Sequence, residues 1–121
     1  AAQDAINAQI AATSARVKPY GTFGSVYSHG QCTSYVASRI QVPNNWGNAG
    51  AWLGNAQASG WQTSGSPRVG AIAATSAGYA GHVGIVEAVS GNSVLISEMN
   101  FAGLGVISQR WAPITSFSYI Y

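Results

Sequence analysis

Four residue types in this chain could carry chemistry together: one cysteine, two histidines, and a few carboxylates and amides. Cys32 is preceded by Gly30-Gln31 and followed by a helical pattern, so it stands at a loop-to-helix junction. Free N–H groups and the positive end of the helix dipole at such a junction favour thiolate over thiol. The thiolate is the attacking species in nucleophilic catalysis, so this position suits a nucleophile. Two histidines could act as its base. His29 lies on the approaching loop, where orientation is poorly fixed, whereas His82 opens an apolar strand-like run after Gly81. We therefore take His82 as the base. Glu98 and Asn100 sit two apart near the end of the following apolar run, and Glu98 is one of only three acidic residues. Either could orient an imidazole by accepting a hydrogen bond from one ring nitrogen while the other nitrogen takes the thiol proton. The backbone N–H of Cys32 and the side chain of Gln31 are candidate oxyanion donors.

Whether these residues meet depends on the elements that carry them. A helix is expected over residues 1–16, stopped by Lys18-Pro19, because the residue before proline is pushed away from helical geometry. Further helices are expected over 32–40, ended by Pro43, and over 49–59, closed by Gly60. Short strands then follow over 69–74, 82–89, 94–99, 106–111 and 117–121. Helices first and antiparallel strands after them define an α+β chain.

The hairpin between residues 82–89 and 94–99 is decisive, because side chains alternate across a strand. A two-residue turn at Gly91-Asn92 pairs Ser90 with Ser93 and puts His82 and Glu98 on opposed faces. A three-residue loop, Ser90-Gly91-Asn92, pairs Val89 with Ser93 and sets His82 opposite Asn100 and diagonal to Glu98. The chemistry requires the second register, and it is the one we predict. Glu87 then lies on the face away from His82. Trp46 and Trp52 are candidate walls of a substrate cleft, on which a glycan or peptide could stack, whereas Trp111 is expected in the core.

Composition excludes several classes. The chain has 121 residues, enough for one core and not two. Hydrophobic residues make up 47% and charged residues 7%, which opposes disorder. Net charge is +2 with no basic run, so no nucleic-acid track exists, although a mild positive balance suits an anionic surface. A lone cysteine forms no internal disulfide and no thiolate metal cluster. No apolar run approaches the ~20 residues of a membrane span.

Five ordered motifs resemble a known family: Gly30-Gln31-Cys32-Thr33-Ser34-Tyr35-Val36, Asn45-Trp46-Gly47-Asn48-Ala49 with Trp52, Gly70-Ala71-Ile72-Ala73, Gly81-His82-Val83-Gly84-Ile85-Val86-Glu87 and Ile96-Ser97-Glu98-Met99-Asn100. Over residues 20–121 the chain resembles the CHAP family, the cysteine, histidine-dependent amidohydrolases/peptidases. Within it, the wording is most similar to secreted Gram-positive cell-separation hydrolases of the streptococcal PcsB type. The resemblance implies a papain-like (NlpC/P60-like) domain, with N-terminal helices packed on an antiparallel sheet of five or six strands. Residues 1–19 would then be a helical linker or the end of an upstream coiled coil. It further implies Cys32, His82 and Glu98 as the catalytic triad, with Asn100 as an additional polar site. Peptidoglycan is the implied substrate, cleaved at an amide either between muramic acid and the stem peptide or within the peptides. Secretion to the wall, a role in division and a membrane division complex as partner follow from the same likeness. Some phage-lysin members bind calcium through acidic residues near the cysteine. Phe23, Ser25 and Ser34 stand at those places here, so neither metal nor cofactor is expected. A non-catalytic wall-binding module and a thiol acyltransferase of the same fold are the competing readings.

Overall fold

The computed structural model describes residues 11–121. After a helical segment at residues 11–15, the helices α1 (Cys32–Arg39) and α2 (Trp52–Ala58) precede six strands: β1 (Thr63–Ser64), β2 (Ile72–Thr75), β3 (His82–Ser90), β4 (Ser93–Met99), β5 (Ile107–Pro113) and β6 (Ser118–Ile120). Short 3-10 turns at Ala49–Ala51 and Ile114–Ser116 lead into α2 and β6. The strands form one antiparallel sheet in the order β1-β6-β2-β3-β4-β5. The α+β class and the six-strand sheet agree with expectation; β1 had no signal, being two polar residues long.

The sheet is apolar on both faces, which is why β3 reads as a nearly continuous hydrophobic run rather than a clean alternation. On one face Ile72, Ala74, Val83, Ile85, Met99 and Ile120 pack under α1 and α2. On the other, Ala71, Ala73, Val86, Ile96, Phe117 and Tyr119 form a second cluster, with Ile114 against it.

Helix α1 is buried at seven of its eight residues. Buried hydroxyls normally cost stability unless bonded. Here Ser34 and Ser38 donate to the carbonyls of Gln31 and Tyr35, three residues back. The chain ahead of α1 covers it: the Lys18 N–H donates to the Arg39 carbonyl and the Phe23 N–H to that of Ser38. The helix expected over residues 1–16 lies partly outside the described residues. Residues 11–15 are helical and rest against the strand bundle. Thr13 is buried and Ser14 Oγ donates to the Val69 carbonyl.

The β3–β4 hairpin corrects the predicted loop. Ser90 pairs with Ser93 across a two-residue Gly91-Asn92 turn, followed by Val89 with Val94 and Ala88 with Leu95. A bulge between Val86 and Ala88 then inserts Glu87 as an extra residue, so that Val86 pairs with Ile96 and Ile85 with Ser97. One inserted residue moves every earlier side chain of β3 by one place relative to β4. The register at the His82 end is therefore the predicted one, reached by a bulge rather than by a longer loop.

Candidate active site

Cys32 is the first residue of α1. Gln31 caps the helix in extended conformation, and Gly30 before it has φ 87°, a left-handed geometry that an L side chain resists. Cys32 is 9% exposed. Burial acts to raise its pKa. A hydrogen bond with His82, the Val83 backbone N–H, the His82 charge and the Thr33 backbone N–H act the other way and win, leaving the thiol below its ordinary value. No acidic residue stands in the first turn of α1 to oppose the thiolate.

His82 begins β3, where it pairs with Thr75 of β2. Its position is fixed by a close approach behind it. The Gly50 N–H donates to the Ala80 carbonyl at 2.9 Å. A Cβ on Gly81 would lie 2.4 Å from the Gly50 nitrogen, so no side chain fits there. His82 Nε2 lies 2.7 Å from Glu98 Oε1. Since Nε2 is engaged by Glu98 and the ring also bonds Cys32, Nδ1 is the nitrogen left for the thiol. Burial acts to lower the His82 pKa, but the bonds to Cys32 and Glu98 and their charges outweigh it and push it up to about 9. A lowered thiol beside a raised imidazole is the signature of a thiolate–imidazolium pair.

Glu98 is fully buried, and both of its carboxylate oxygens are bonded. Oε2 accepts a hydrogen bond from Arg110 Nε on β5 at 2.8 Å. Room for the carboxylate comes from Gly84, whose added Cβ would lie 2.4 Å from Ile96 Cγ2 and 3.4 Å from Glu98 Cβ. Of the two candidates for orienting His82, Glu98 does so. Asn100, in left-handed conformation at φ 62°, donates from Nδ2 to Gln31 Oε1 at 2.7 Å instead. That bond leaves Gln31 Nε2 as the donating end of the amide, next to the open N–H groups of the first helical turn. Glu87 faces away from the site, as expected, where it accepts from Arg39 and Ser97.

Gln31, Cys32, His82 and Asn100 line a cleft of about 680 Å³ that also contains Val26, Tyr27, Asn44, Asn45 and Tyr79. No Lys, Arg, Asp or Glu lines it. The expected tryptophan walls are absent from it. Trp46 and Trp52 are 1% and 0% exposed and pack edge-on against each other in the core. Their indole N–H groups donate to Ser59 Oγ and the Gly47 carbonyl. Large rings with a satisfied N–H are cheaper to bury than to expose, and Tyr27 packs on Trp52 to present the wall in their place. Trp111 is the reverse correction: it is 53% exposed on the edge strand β5. His29 is exposed and outside the cleft. Among the described residues, no group of three His, Cys, Asp or Glu side chains stands close enough to hold a metal ion.

Two residues were missed from sequence. Tyr79, on the loop before β3, carried no signal. Arg110 did: it is one of only five basic residues and sits in a strand, and a β4–β5 register would have aimed it at Glu98.

A helix N-terminus carrying the cysteine, packed at the end of an antiparallel sheet whose adjacent strands carry the histidine and the buried carboxylate, is a papain-like α+β scaffold. The family profile of the CHAP domain matches residues 22–100, and the chain belongs to that family. It is 44% identical over 95 residues to the staphylococcal secretory antigen SsaA of Staphylococcus aureus strain NCTC 8325, covering 75% of this chain and 37% of that protein. It is 42% identical over 105 residues to SsaA of Staphylococcus epidermidis, covering 81% and 41%. The chain thus spans about two fifths of these curated relatives. A crystal structure of an N-acetylmuramoyl-L-alanine amidase from Staphylococcus aureus superposes with TM-score 0.76 and 34% identity, over 87% of this chain and 34% of that one. The crystal structure of Ly7917 with the hydrolysing product of MDP superposes with TM-score 0.55 and 26% identity, over 93% and 61%.

Proposed function

We propose that this domain hydrolyses an amide bond of bacterial peptidoglycan through Cys32. The observation that carries the reading is the linked set Cys32–His82–Glu98 opening on an uncharged cleft. The Cys32 thiolate attacks the amide carbonyl carbon, and its electrons move onto the carbonyl oxygen. The Cys32 backbone N–H and Gln31 Nε2 stabilise that oxyanion. The His82 imidazolium gives its Nδ1 proton to the leaving nitrogen, the C–N bond breaks, and an S-acyl enzyme remains. Neutral His82 then takes a proton from water, whose oxygen attacks the thioester carbonyl; the C–S bond breaks, the carboxylic acid product leaves and the thiolate–imidazolium pair is restored. Glu98 holds the ring in the productive tautomer throughout.

The substrate assignment is supported by membership of the CHAP family and by likeness to a staphylococcal amidase. The names of the relatives support secretion from a Gram-positive cell. A role in cell separation, with a division complex engaged through an upstream region beyond residues 1–19, completes the proposal. Purified cell walls incubated with the protein test it: mass spectrometry should show newly hydrolysed amide ends, and Cys32→Ala should show none. Free lactyl groups would mark the amidase and new peptide amines the endopeptidase. New crosslinks would identify an acyltransferase instead, and binding without turnover a wall-binding module.

A further inference from the structure

Beyond the triad, Glu98 poses a problem that the fold must solve. A fully buried carboxylate needs a hydrogen-bond partner on each oxygen, and those partners set the direction in which it points. Its oxygens face two elements. From β3 comes His82, with Cys32 of α1 on the far side of the ring and Thr75 of β2 beside it. From β5 comes Arg110, diagonal to Glu98, whose direct partner is the uncharged Ser108. Arg110 is itself clamped. Its guanidinium carbon lies 3.9 Å from the centre of the Phe101 ring and 5.6 Å from that of Phe117. The Phe101 ring in turn sits 5.9 Å from that of His82. Cys32, His82, Glu98 and Arg110 therefore follow one another through direct hydrogen bonds, and the Phe101 ring lies beside both His82 and Arg110.

We propose that Arg110 is a positioning residue for the reaction: clamped by Phe101, it holds the Glu98 carboxylate aimed at His82 and so sustains the pair with Cys32. Nothing in this role requires Arg110 to touch substrate, and the cleft does not include it. The proposal rests on Cys32 and His82 acting as a pair. It is read without peptidoglycan, so a wrong substrate assignment would leave it standing.

The test follows the His82 imidazole through its NMR titration, together with the pH dependence of Cys32 alkylation by iodoacetamide. Arg110→Met should lower the His82 midpoint by about one unit or more, with thiolate reactivity lost correspondingly on the acid side. Arg110→Lys should restore most of the shift, since charge is what matters. Arg110→Gln, neutral but still able to donate one hydrogen bond, should behave like Met and guards against a folding failure of that variant at this one-third-exposed position. In the Glu98→Gln background, removing Arg110 should shift nothing further. A wild-type midpoint in folded Arg110→Met or Arg110→Gln would overturn the proposal. So would an equal shift in the Glu98→Gln background, because Arg110 would then not act through Glu98.

Discussion

At the scale of single residues, Cys32 and His82 shift each other's proton affinity. The bonds to Cys32 and Glu98 push the His82 imidazole from its ordinary 6.5 up to about 9, so the protonated ring is the form that the fold favours. Its contribution to stability is therefore fully present below about pH 6.5 and fades as pH rises through about 9. Hydrolysis should follow a bell-shaped profile, rising on the acid side as Cys32 ionises below the usual thiol range and falling near pH 9. A pH–rate series on cell walls checks this; an alkaline limb near the ordinary imidazole value of 6.5 would contradict it. Glu98→Gln keeps the hydrogen bond and loses the charge. We expect it to cost roughly 10–100-fold in kcat/KM, in proportion to a loss of ~1.4–2.7 kcal/mol. Cys32→Ala should abolish turnover while leaving thermal stability close to wild type.

At the scale of elements, the site depends on a register set well away from it. The bulge at Glu87 turns a two-residue hairpin into a register that puts His82 on the Glu98 face. Deleting Glu87 should remove the bulge yet leave Val86 opposite Ile96 and His82 on the Glu98 face, so activity should persist, whereas deleting Val83 should move His82 to the other face and abolish it. Glu87→Gln, which keeps the residue count, should retain activity. The Arg39–Glu87 pair at 2.8 Å is partly exposed, so that substitution should cost no more than ~1 kcal/mol, read by thermal denaturation. Gly84→Ala is the complementary case. Its Cβ would meet Ile96 Cγ2 at 2.4 Å and the Ser97 carbonyl oxygen at 2.9 Å, so β3 must move away from β4. A loss of about 1–3 kcal/mol is expected from overpacking of this kind, together with lost activity as the Glu98–His82 bond opens.

At the scale of the whole molecule, the catalytic helix is stabilised from outside as well as from the sheet. Residues 11–18 lie across the gap between Trp61 and Gly70. Arg16 stacks over the Trp61 ring at 4.7 Å, and a Cβ on Gly70 would meet Ser14 Cα at 2.7 Å. The expected domain boundary near residue 20 can be tested directly. A chain beginning at Tyr20 should melt lower by roughly 4 °C, in line with ~1 kcal/mol of lost docking, while keeping its cleft. Phe23, Ser25 and Ser34 leave the loops beside Cys32 without carboxylates, so activity should persist in excess chelator. A calcium requirement in that assay would contradict the reading.

What the sequence alone determined is what depends on local spacing. Gly30-Gln31-Cys32 specified a cysteine on a helix N-terminus, Gly81-His82 a histidine opening a strand, and the order of elements an α+β fold. Glu98 was legible because a lone acid in an apolar strand has to be paired. The rest was decided by tertiary structure, because it depends on contacts between distant segments. The bulge is invisible in sequence: Val86-Glu87-Ala88 reads equally well as regular strand, and only packing on both faces of the sheet selects the inserted residue. The indoles of Trp46 and Trp52 could have lined a cleft until Ser59 and the Gly47 carbonyl satisfied their N–H groups inside the core. Arg110 became part of the site only when pairing of β5 with β4 placed its guanidinium on a buried carboxylate. Burial removes the solvation that would otherwise let each charge stand alone, so the fold, and not the sequence spacing, chose its partner.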